Sequence, residues 1–304
     1  MTTDRAADLL GRHGVWSTWG GVGGDQLIEL AGEVAELGYD ALWVNEGTAG
    51  REPLALLGAL ARSTERLTLG AGVAAIQARD ATAARAGART LAEMSHGRFV
   101  MGLGVSHRSS AASRGHGYGP PLDEMRRYLD AYEVAPSGAG PTDLEPPLVV
   151  AALGPRMLEL AATRASGAFG YLVTSAWVRE ARRRLDDAAA RAGRPRPVLV
   201  VSQAAVLGSG DVAREAARVV VGHHLGQPNY QRNMVRMGFT ADEARTPPPD
   251  RLVDALVATG DEVALRARLE EMLTAGADHV ALIPIAPNGT QPDPAVIRAC
   301  APAS

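Results

Sequence analysis

The feature that most constrains the fold is a regular alternation of short apolar runs with amphipathic segments. Eight runs have the length and composition of buried strands, namely residues 14–18, 41–46, 67–75, 99–105, 147–153, 168–174, 198–206 and 279–285. Between the first two, Leu27, Leu30, Ala31, Val34 and Leu37 share one face at helical spacing, which predicts a helix packed on a sheet. Eight such units predict a closed (β/α)8 barrel, the TIM barrel of the α/β class. An open doubly wound sheet is the alternative.

Glycine-ended helices and two irregular stretches complete the pattern. Gly38, Gly97 and Gly276 each follow a helical stretch and precede a strand, where a left-handed glycine ends the helix. Residues 135–147 are rich in Pro and Gly and predict an exposed connection. Residues 226–258 are longer than a usual barrel loop and contain helical patterns, so we expect a helical insertion that acts as a lid. We expect residues 1–304 to form one barrel domain.

Composition excludes several classes of function. The net charge is −3 and the basic residues are dispersed, unlike those of a nucleic-acid binder. All 31 basic residues are arginine, which excludes Schiff-base lysine chemistry and a Walker-type phosphate loop. Cys300 is the only cysteine, so no intrachain disulfide or cysteine-rich metal site can form. Without a signal-peptide core or a long apolar run, we expect a cytoplasmic protein that acts on a small molecule, with no membrane or nucleic-acid partner.

Several short motifs argue against a metal site, a dinucleotide-binding loop and two classes of hydrolase. His223 and His224 are adjacent, so a helix would turn them about 100° apart and away from one metal ion. The stretch WGGVGG at residues 19–24 has Gln26 where a dinucleotide-binding loop needs its third glycine. Neither a GxSxG nor an HExxH motif is present, which excludes the corresponding serine hydrolases and zinc proteases.

Five segments together resemble the luciferase-like monooxygenase superfamily, in particular its coenzyme F420-dependent oxidoreductases. These are GYDALWVNE, LTLGAGVAAI, LAEMSHGRFVMGLGVSHR, AALGPRMLELAA and GADHVALIPI, which occur in family order across most of residues 14–285. The resemblance implies a (β/α)8 barrel, usually a homodimer, that binds F420 or FMN at its C-terminal mouth. It implies hydride transfer between the deazaflavin C5 and a small organic substrate. The alternatives are an FMN-dependent monooxygenase that uses O2, and a barrel that has lost catalysis and serves as a cofactor-binding or scaffold protein.

The resemblance also implies which residues contact the cofactor ring. Gly72, Val73 and Ala74 match a bulge in the third strand, where relatives hold a non-prolyl cis peptide against the ring. Gly104 and Ser106 follow at the end of the fourth strand, and we expect them beside the same ring. The alternative is that Gly72 is placed only for packing.

A second group matches the phosphate site of relatives, and it comprises Leu153, Gly154, Pro155 and Arg156 together with Thr174 and Ser175. The residues themselves support this, because Pro155 suits the first turn of a helix, whose free N–H groups attract anions. The alternatives are an ordinary helix start at Pro155 and a helix N-cap at Thr174 or Ser175.

Two residues are candidates for catalysis. Glu46 matches an acidic position at the end of the second strand, but Gly47 stands where many relatives have histidine, which argues against sugar-phosphate dehydrogenase activity. His107 follows the fourth strand and has a pKa range suited to proton delivery beside hydride transfer. Glu46 could instead be a structural hydrogen-bond acceptor, and His107 a loop residue without a role.

Overall fold

The core of the fold is a closed barrel of parallel strands, and helices connect the strands. The computed structural model describes residues 4–136 and 144–302. The strands are β1 (His13–Ser17), β2 (Ala41–Val44), β3 (Thr68–Ala71), β4 (Ala74–Ala75), β5 (Phe99–Gly104), β6 (Leu148–Ala151), β7 (Gly167–Gly170), β8 (Val198–Leu207), β9 (Val257–Gly260) and β10 (His279–Ile285). The helices are α1 (Asp4–Leu10), α2 (Gly24–Glu36), α3 (Pro53–Ser63), α4 (Ala81–Met94), α5 (Arg108–Ser113), α6 (Pro121–Val134), α7 (Pro155–Arg164), α8 (Ser175–Arg191), α9 (Asp211–Leu225), α10 (Pro228–Arg236), α11 (Asp250–Leu256), α12 (Glu262–Thr274) and α13 (Pro294–Ala299).

Strand order confirms the predicted barrel. The parallel ladder runs from β1 through β2, β3, β5, β6 and β7 to β8, and β10 pairs with both β8 and β1. This closure rules out the open doubly wound sheet. β4 continues β3 and pairs with β5, whereas β9 adds a short strand beside the second half of β8. The sequence analysis missed β9.

Alternation along the strands separates two apolar layers. In β2, Ala41 and Trp43 point into the barrel, whereas Leu42 and Val44 pack under the helices. The Trp43 ring packs edge-on against Phe169 at 5.3 Å, and its indole N–H donates to His279 Nε2 at 3.0 Å. Gly70 makes room for this ring, since a Cβ there would lie 2.2 Å from it. These side chains fill the lower barrel, whereas the C-terminal ends of the strands surround a cavity.

The helices follow the predicted periodicity. In α2, Leu27, Leu30, Ala31 and Val34 are buried, as predicted. Asp80 and Asp261 cap α4 and α12 by accepting a backbone N–H in the first turn. The glycine turns are confirmed, because Gly38, Gly97 and Gly276 all have left-handed φ values of +85°, +86° and +114°.

The two irregular stretches differ from their predictions in part. The helical insertion is confirmed, since residues 226–258 contain α10 and α11, but the last two residues already belong to β9. In the stretch 135–147, residues 137–143 lie outside the described residues. The exposed connection that was predicted is found only in part at its described ends, since Pro136 is exposed whereas Ala135, Pro146 and Pro147 are buried. Arg85 holds both ends, donating to the Ala135 carbonyl at 2.7 Å and to Glu145 at 3.1 Å.

Across residues 4–136 and 144–302, every helix is too short or too polar to cross a bilayer.

Candidate active site

A cavity of about 920 Å³ opens at the C-terminal ends of the strands, where the barrel fold places function. The predicted site residues that line it are Glu46, Gly72, Val73, Gly104, Ser106, His107, Leu153, Gly154, Pro155 and Arg156. Residues from strand ends far apart in sequence therefore meet in one space. Ala74, Thr174 and Ser175 are not among its lining residues.

The floor of the cavity is the break between β3 and β4. The Gly72–Val73 peptide is cis and both residues line the cavity, which confirms the prediction of a cis or bulged peptide there. Trp16 Nε1 donates to the Gly72 carbonyl, so the indole is held beside this peptide. Val73 rests against the bare backbone of Gly104, where a Cβ would lie 2.6 Å from Val73 Cγ2. Ala74 is buried just behind the floor, and its neighbour Ala75 lines the cavity instead.

Glu46 holds the cavity floor in place through Ala75 and Arg79. Its carboxylate accepts the Ala75 N–H at 2.7 Å and two N–H groups of Arg79 at 2.8 and 3.0 Å. The side chain is only 4% exposed, and Arg114 lies 3.7 Å away. Because cations and a backbone N–H already occupy this carboxylate, the geometry favours the structural alternative over a catalytic one.

His107 occupies the N-cap position of α5 but makes no side-chain cap, so its ring is free to turn into the cavity. The ring lies 5.7 Å from that of Tyr230 and beside the side chain of Asn229. Burial lowers the pKa of His107, and the polar side chain of the neighbouring Asn229 partly opposes this shift. His107 is therefore a mainly neutral imidazole beside the cavity at pH 7.

Positive charge gathers at one end of the cavity, around the start of α7. Gly154 is the N-cap of α7 without a side-chain cap, and Pro155 is its first residue. Arg156, Arg232 and Arg236 line the cavity at this end and form what we call the arginine rim. Burial, followed by repulsion from Arg232, lowers the pKa of Arg236, with no carboxylate among the causes. Within residues 4–136 and 144–302, no carboxylate pairs with these guanidinium groups, and an uncapped helix start beside them favours a bound anion.

Thr174 and Ser175 are occupied elsewhere. Thr174 Oγ1 accepts the Trp177 N–H at 3.2 Å and so caps α8, which is the alternative weighed for this residue. Ser175 donates its hydroxyl hydrogen to Glu271 of α12. The strand ends at Gly170 rather than at residue 174, and Tyr171 is the residue that enters the cavity. The geometry gives a phosphate contact by these hydroxyls no support.

Part of the cavity is lined by an aromatic wall that the sequence analysis missed. It consists of Tyr171, His224 and Tyr230, whose rings lie 4.9 to 6.1 Å apart. Trp16 extends the wall, with its ring 5.4 Å from that of Tyr171. His223 lies at the edge of the cavity and is exposed. The signal available in the sequence was the concentration of His, Tyr, Asn and Gln in residues 223–233 at the start of the predicted insertion.

The segment after α9 covers part of the cavity. Gln227 Nε2 donates to Ser109 Oγ of α5 at 3.3 Å, and Asn229 reaches His107. Among the described lining residues, the sole carboxylate is Glu46, which Arg79 neutralises. In the same part of the chain, no three His, Cys, Asp or Glu side chains are placed to hold a metal ion. The cavity therefore suits an elongated ligand with a flat apolar portion and an anionic end.

Known proteins share both the sequence pattern and the fold. Residues 8–279 match the model of the family described as luciferase-like monooxygenase. A Mycobacterium tuberculosis protein that carries the name coenzyme F420-dependent oxidoreductase is 25% identical over 316 residues, covering 85% of this chain and 90% of that protein.

Two solved structures show the same fold at low identity. An F420-dependent secondary alcohol dehydrogenase in complex with an F420–acetone adduct has a TM-score of 0.74 at 14% identity, covering 95% of this chain and 96% of that one. The oxygenating constituent of a 3,6-diketocamphane monooxygenase from Pseudomonas putida, in complex with FMN, has a TM-score of 0.65 at 16% identity, covering 90% and 91%. With the family match spanning nearly the whole chain, the protein belongs to the luciferase-like monooxygenase family and is an oxidoreductase of that family.

Proposed function

We propose that the protein is an F420-dependent oxidoreductase that transfers hydride between the deazaflavin C5 and a small organic substrate. The observation that carries the proposal is the polarity of the cavity, which joins an aromatic and apolar space to the arginine rim. F420 has the matching shape, since a flat tricyclic ring is linked to a tail with a phosphate and further carboxylates. The sequence relative named as an F420-dependent oxidoreductase supports the same choice.

The chain's own residues fit such a cofactor. The floor at Gly72 and Val73, with Gly104 and Ser106 beside it, offers a flat surface for the ring. Leu153 to Arg156, together with Arg232 and Arg236, would bind the anionic tail through N–H groups and guanidinium charge. When bound, the deazaflavin supplies a two-electron hydride acceptor or donor at C5.

Protons that accompany hydride transfer would be handled by imidazole. His107 is the residue proposed from the sequence, and the structure adds His224, whose ring also lies beside that of Tyr230. Glu46 would contribute indirectly, by keeping the floor in place through Ala75 and Arg79. The aromatic wall would exclude water from the reacting atoms.

An FMN-dependent monooxygenase is the second candidate. The likeness to the FMN-bound structure from Pseudomonas putida favours it, and FMN also combines a flat ring with a phosphate. FMN has a single anionic group, however, so it would leave part of the arginine rim without a partner. A catalytically inactive cofactor-binding barrel would bind either molecule without turnover.

Binding measurements on two variants test the proposal. We expect F420 to bind more tightly than FMN, and Arg236→Gln to weaken F420 binding about 10- to 100-fold, since a charge-assisted hydrogen bond contributes about 1.5–3 kcal/mol. Arg126→Gln is the matched control, because Arg126 is an exposed arginine of α6 outside the cavity. Fluorescence titration at low and moderate salt gives both affinities.

The opposite preference would overturn the deazaflavin assignment. If FMN binds and F420 does not, an O2-using monooxygenase takes its place. If Arg236→Gln and Arg126→Gln bind F420 equally well, the arginine rim is not the anion site.

A further inference from the structure

The phenol hydroxyls of Tyr171 and Tyr230 have no hydrogen-bond partner in the part of the chain that the structure describes, although both side chains line the cavity. Three other tyrosines do have one, since Tyr39, Tyr118 and Tyr128 each donate to a backbone carbonyl at 2.8 to 3.1 Å. A buried tyrosine hydroxyl usually has a partner, because leaving it without one costs free energy. The two hydroxyls of the aromatic wall are therefore donors left for a ligand.

The wall is neutral as well as aromatic. Burial raises the pKa of Tyr171 and Tyr230, so both remain protonated donors at neutral pH. The His224 ring packs between the two phenols, and its Nδ1 lies 2.9 Å from the Val220 carbonyl of the same helix. Burial lowers the pKa of His224 to about 4, so this ring carries no charge either. Such a wall offers ring contacts and neutral hydrogen bonds rather than ion pairs.

The rings of the wall form a continuous series. Trp16 lies 5.4 Å from Tyr171, and His224 lies 4.9 Å from Tyr171 and 5.1 Å from Tyr230. His107 continues the series, with its ring 5.7 Å from that of Tyr230. These pairs are tilted by 44° to 78°, so the wall presents both ring edges and ring faces. Rings at this spacing extend past a single six-membered ring, which matches a ligand of two or more fused rings.

The wall and the cavity floor come from different parts of the barrel. The floor is formed by Gly72, Val73 and Gly104, whereas the wall follows β7 and continues in α9 and α10. Trp16 joins the two, because its indole N–H donates to the Gly72 carbonyl and its ring packs on Tyr171. The cavity of about 920 Å³ lies at the upper end of the range of roughly 300–1,000 Å³ for one drug-sized ligand. A cofactor ring on the floor therefore leaves the wall to a second molecule.

We propose that the aromatic wall is the substrate site for a planar, oxygen-substituted aromatic compound of two or more fused rings, a phenol or a quinone. Its ring system lies against the wall, and its oxygen accepts a hydrogen bond from the hydroxyl of Tyr171 or Tyr230. This substrate class deepens the proposed function and rests on it, since the cofactor ring occupies the floor. An aliphatic substrate would fill the same volume without the ring contacts.

The first test compares ligands of similar size in the protein without cofactor. Isothermal titration calorimetry measures the affinities of 2-naphthol, of its saturated counterpart decahydro-2-naphthol and of naphthalene. We expect 2-naphthol to bind about 10-fold more tightly than the saturated alcohol, because several ring contacts add to the burial of apolar surface. Naphthalene should bind about 3- to 10-fold more weakly than 2-naphthol, since it lacks the hydrogen bond. Equal or tighter binding of the saturated alcohol would overturn the proposal.

Variants then assign each part of the effect. Tyr171→Phe combined with Tyr230→Phe retains both rings, so this protein should still prefer 2-naphthol over its saturated counterpart but not over naphthalene. Tyr230→Leu should reduce the preference for the aromatic ligand about 3- to 10-fold. Tyr39→Phe is the control, because the Tyr39 hydroxyl donates to the Ile297 carbonyl outside the cavity. If the double variant keeps its full preference over naphthalene, the hydroxyls do not bind the substrate oxygen and the proposal is wrong.

The third test adds the cofactor and separates this substrate site from the proposed function. With F420 bound, 2-naphthol should still bind, since the deazaflavin ring lies on the floor. Mutual displacement of F420 and 2-naphthol would show that the wall covers the cofactor ring, which refutes the substrate site and leaves the proposed function standing. Failure to bind F420 refutes the proposed function, and the wall then stands or falls on the affinities measured without cofactor.

Discussion

Glu46 and Glu52 contact the same guanidinium, and replacing each in turn separates a buried ion pair from an exposed one. Arg79 Nη2 donates to Glu46 at 2.8 Å and to Glu52 at 2.7 Å. The Glu46 side chain is 4% exposed, whereas that of Glu52 is 49% exposed. Glu46→Gln and Glu52→Gln therefore remove the same charge from the same partner at two depths.

The expected effects differ several-fold. Glu46→Gln removes the buried partner and leaves Arg79 with the exposed Glu52 beside it, so we expect a cost of about 3 kcal/mol, the lower end for a broken buried pair. Unfolding entropy for 304 residues is about 0.6 kcal/mol per kelvin, so we expect Glu46→Gln to lower Tm by about 5 °C. An exposed pair contributes at most about 1 kcal/mol, and glutamine can still accept the Ala55 N–H at the start of α3, so Glu52→Gln should lower Tm by less than about 2 °C.

Thermal unfolding with F420 titration checks this reasoning. Glu46→Gln should also weaken F420 binding, because the Ala75 N–H that it holds belongs to the cavity floor. Equal Tm losses in the two variants would show that burial does not set the strength of this pair. An unchanged Tm and affinity with lost turnover would restore Glu46 as a catalytic group.

Two further predictions concern the barrel interior. His279 is buried with a pKa of about 4 against 6.5 for the free side chain, so its contribution to stability is complete above pH 6.5 and is lost as pH falls toward 4. The loss should reach about 3 kcal/mol in the free energy of unfolding measured with urea. His279→Gln can still donate to the Gly11 carbonyl and accept from Trp43, so it should flatten the dependence of this free energy on pH. An equal pH dependence in the wild type and the variant would refute the prediction. Gly104→Ala should displace Val73 and weaken F420 binding, with an overpacking cost of about 1–3 kcal/mol. Gly32→Ala in α2 is the control, because a Cβ there meets nothing within 4 Å. Equal F420 affinities in the two variants would mean that Val73 does not support the ring.

The barrel was predictable because its strands are buried on both faces. Each then appears as a continuous apolar run, and the left-handed glycines mark where helices end. The ends of strands were less predictable. The strand predicted over 168–174 ends at Gly170, and Leu172 just beyond it adopts a left-handed φ of +51°. Leucine rarely adopts this conformation, so the sequence does not indicate that the strand ends there. β9 escaped detection because its four residues follow α11 without a turn.

The candidate site also contains residues that the sequence could predict and residues that it could not. Gly72, Gly104 and Gly154 could be placed from sequence, because the topology brings strand ends to one mouth. The aromatic wall could not, since it depends on which face α9 turns inward. His223 and His224 are equivalent in the sequence, yet only His224 packs between Tyr171 and Tyr230. Thr174 was predicted to bind a phosphate, but its hydroxyl accepts the Trp177 N–H and caps α8. This local hydrogen bond competes with binding of a ligand by the same hydroxyl.

The indole on the cavity floor gives the protein an internal optical probe. Of its four tryptophans, Trp16 is the one that lines the cavity, and its bond to the Gly72 carbonyl holds the ring beside the cis peptide. Deazaflavin and flavin absorb at wavelengths where indole emits, so a cofactor lying on this floor would quench Trp16 by energy transfer. The arrival of the ring could then be timed in a stopped-flow fluorimeter with unlabelled protein, and Trp16→Phe would reduce the amplitude by the share of this indole.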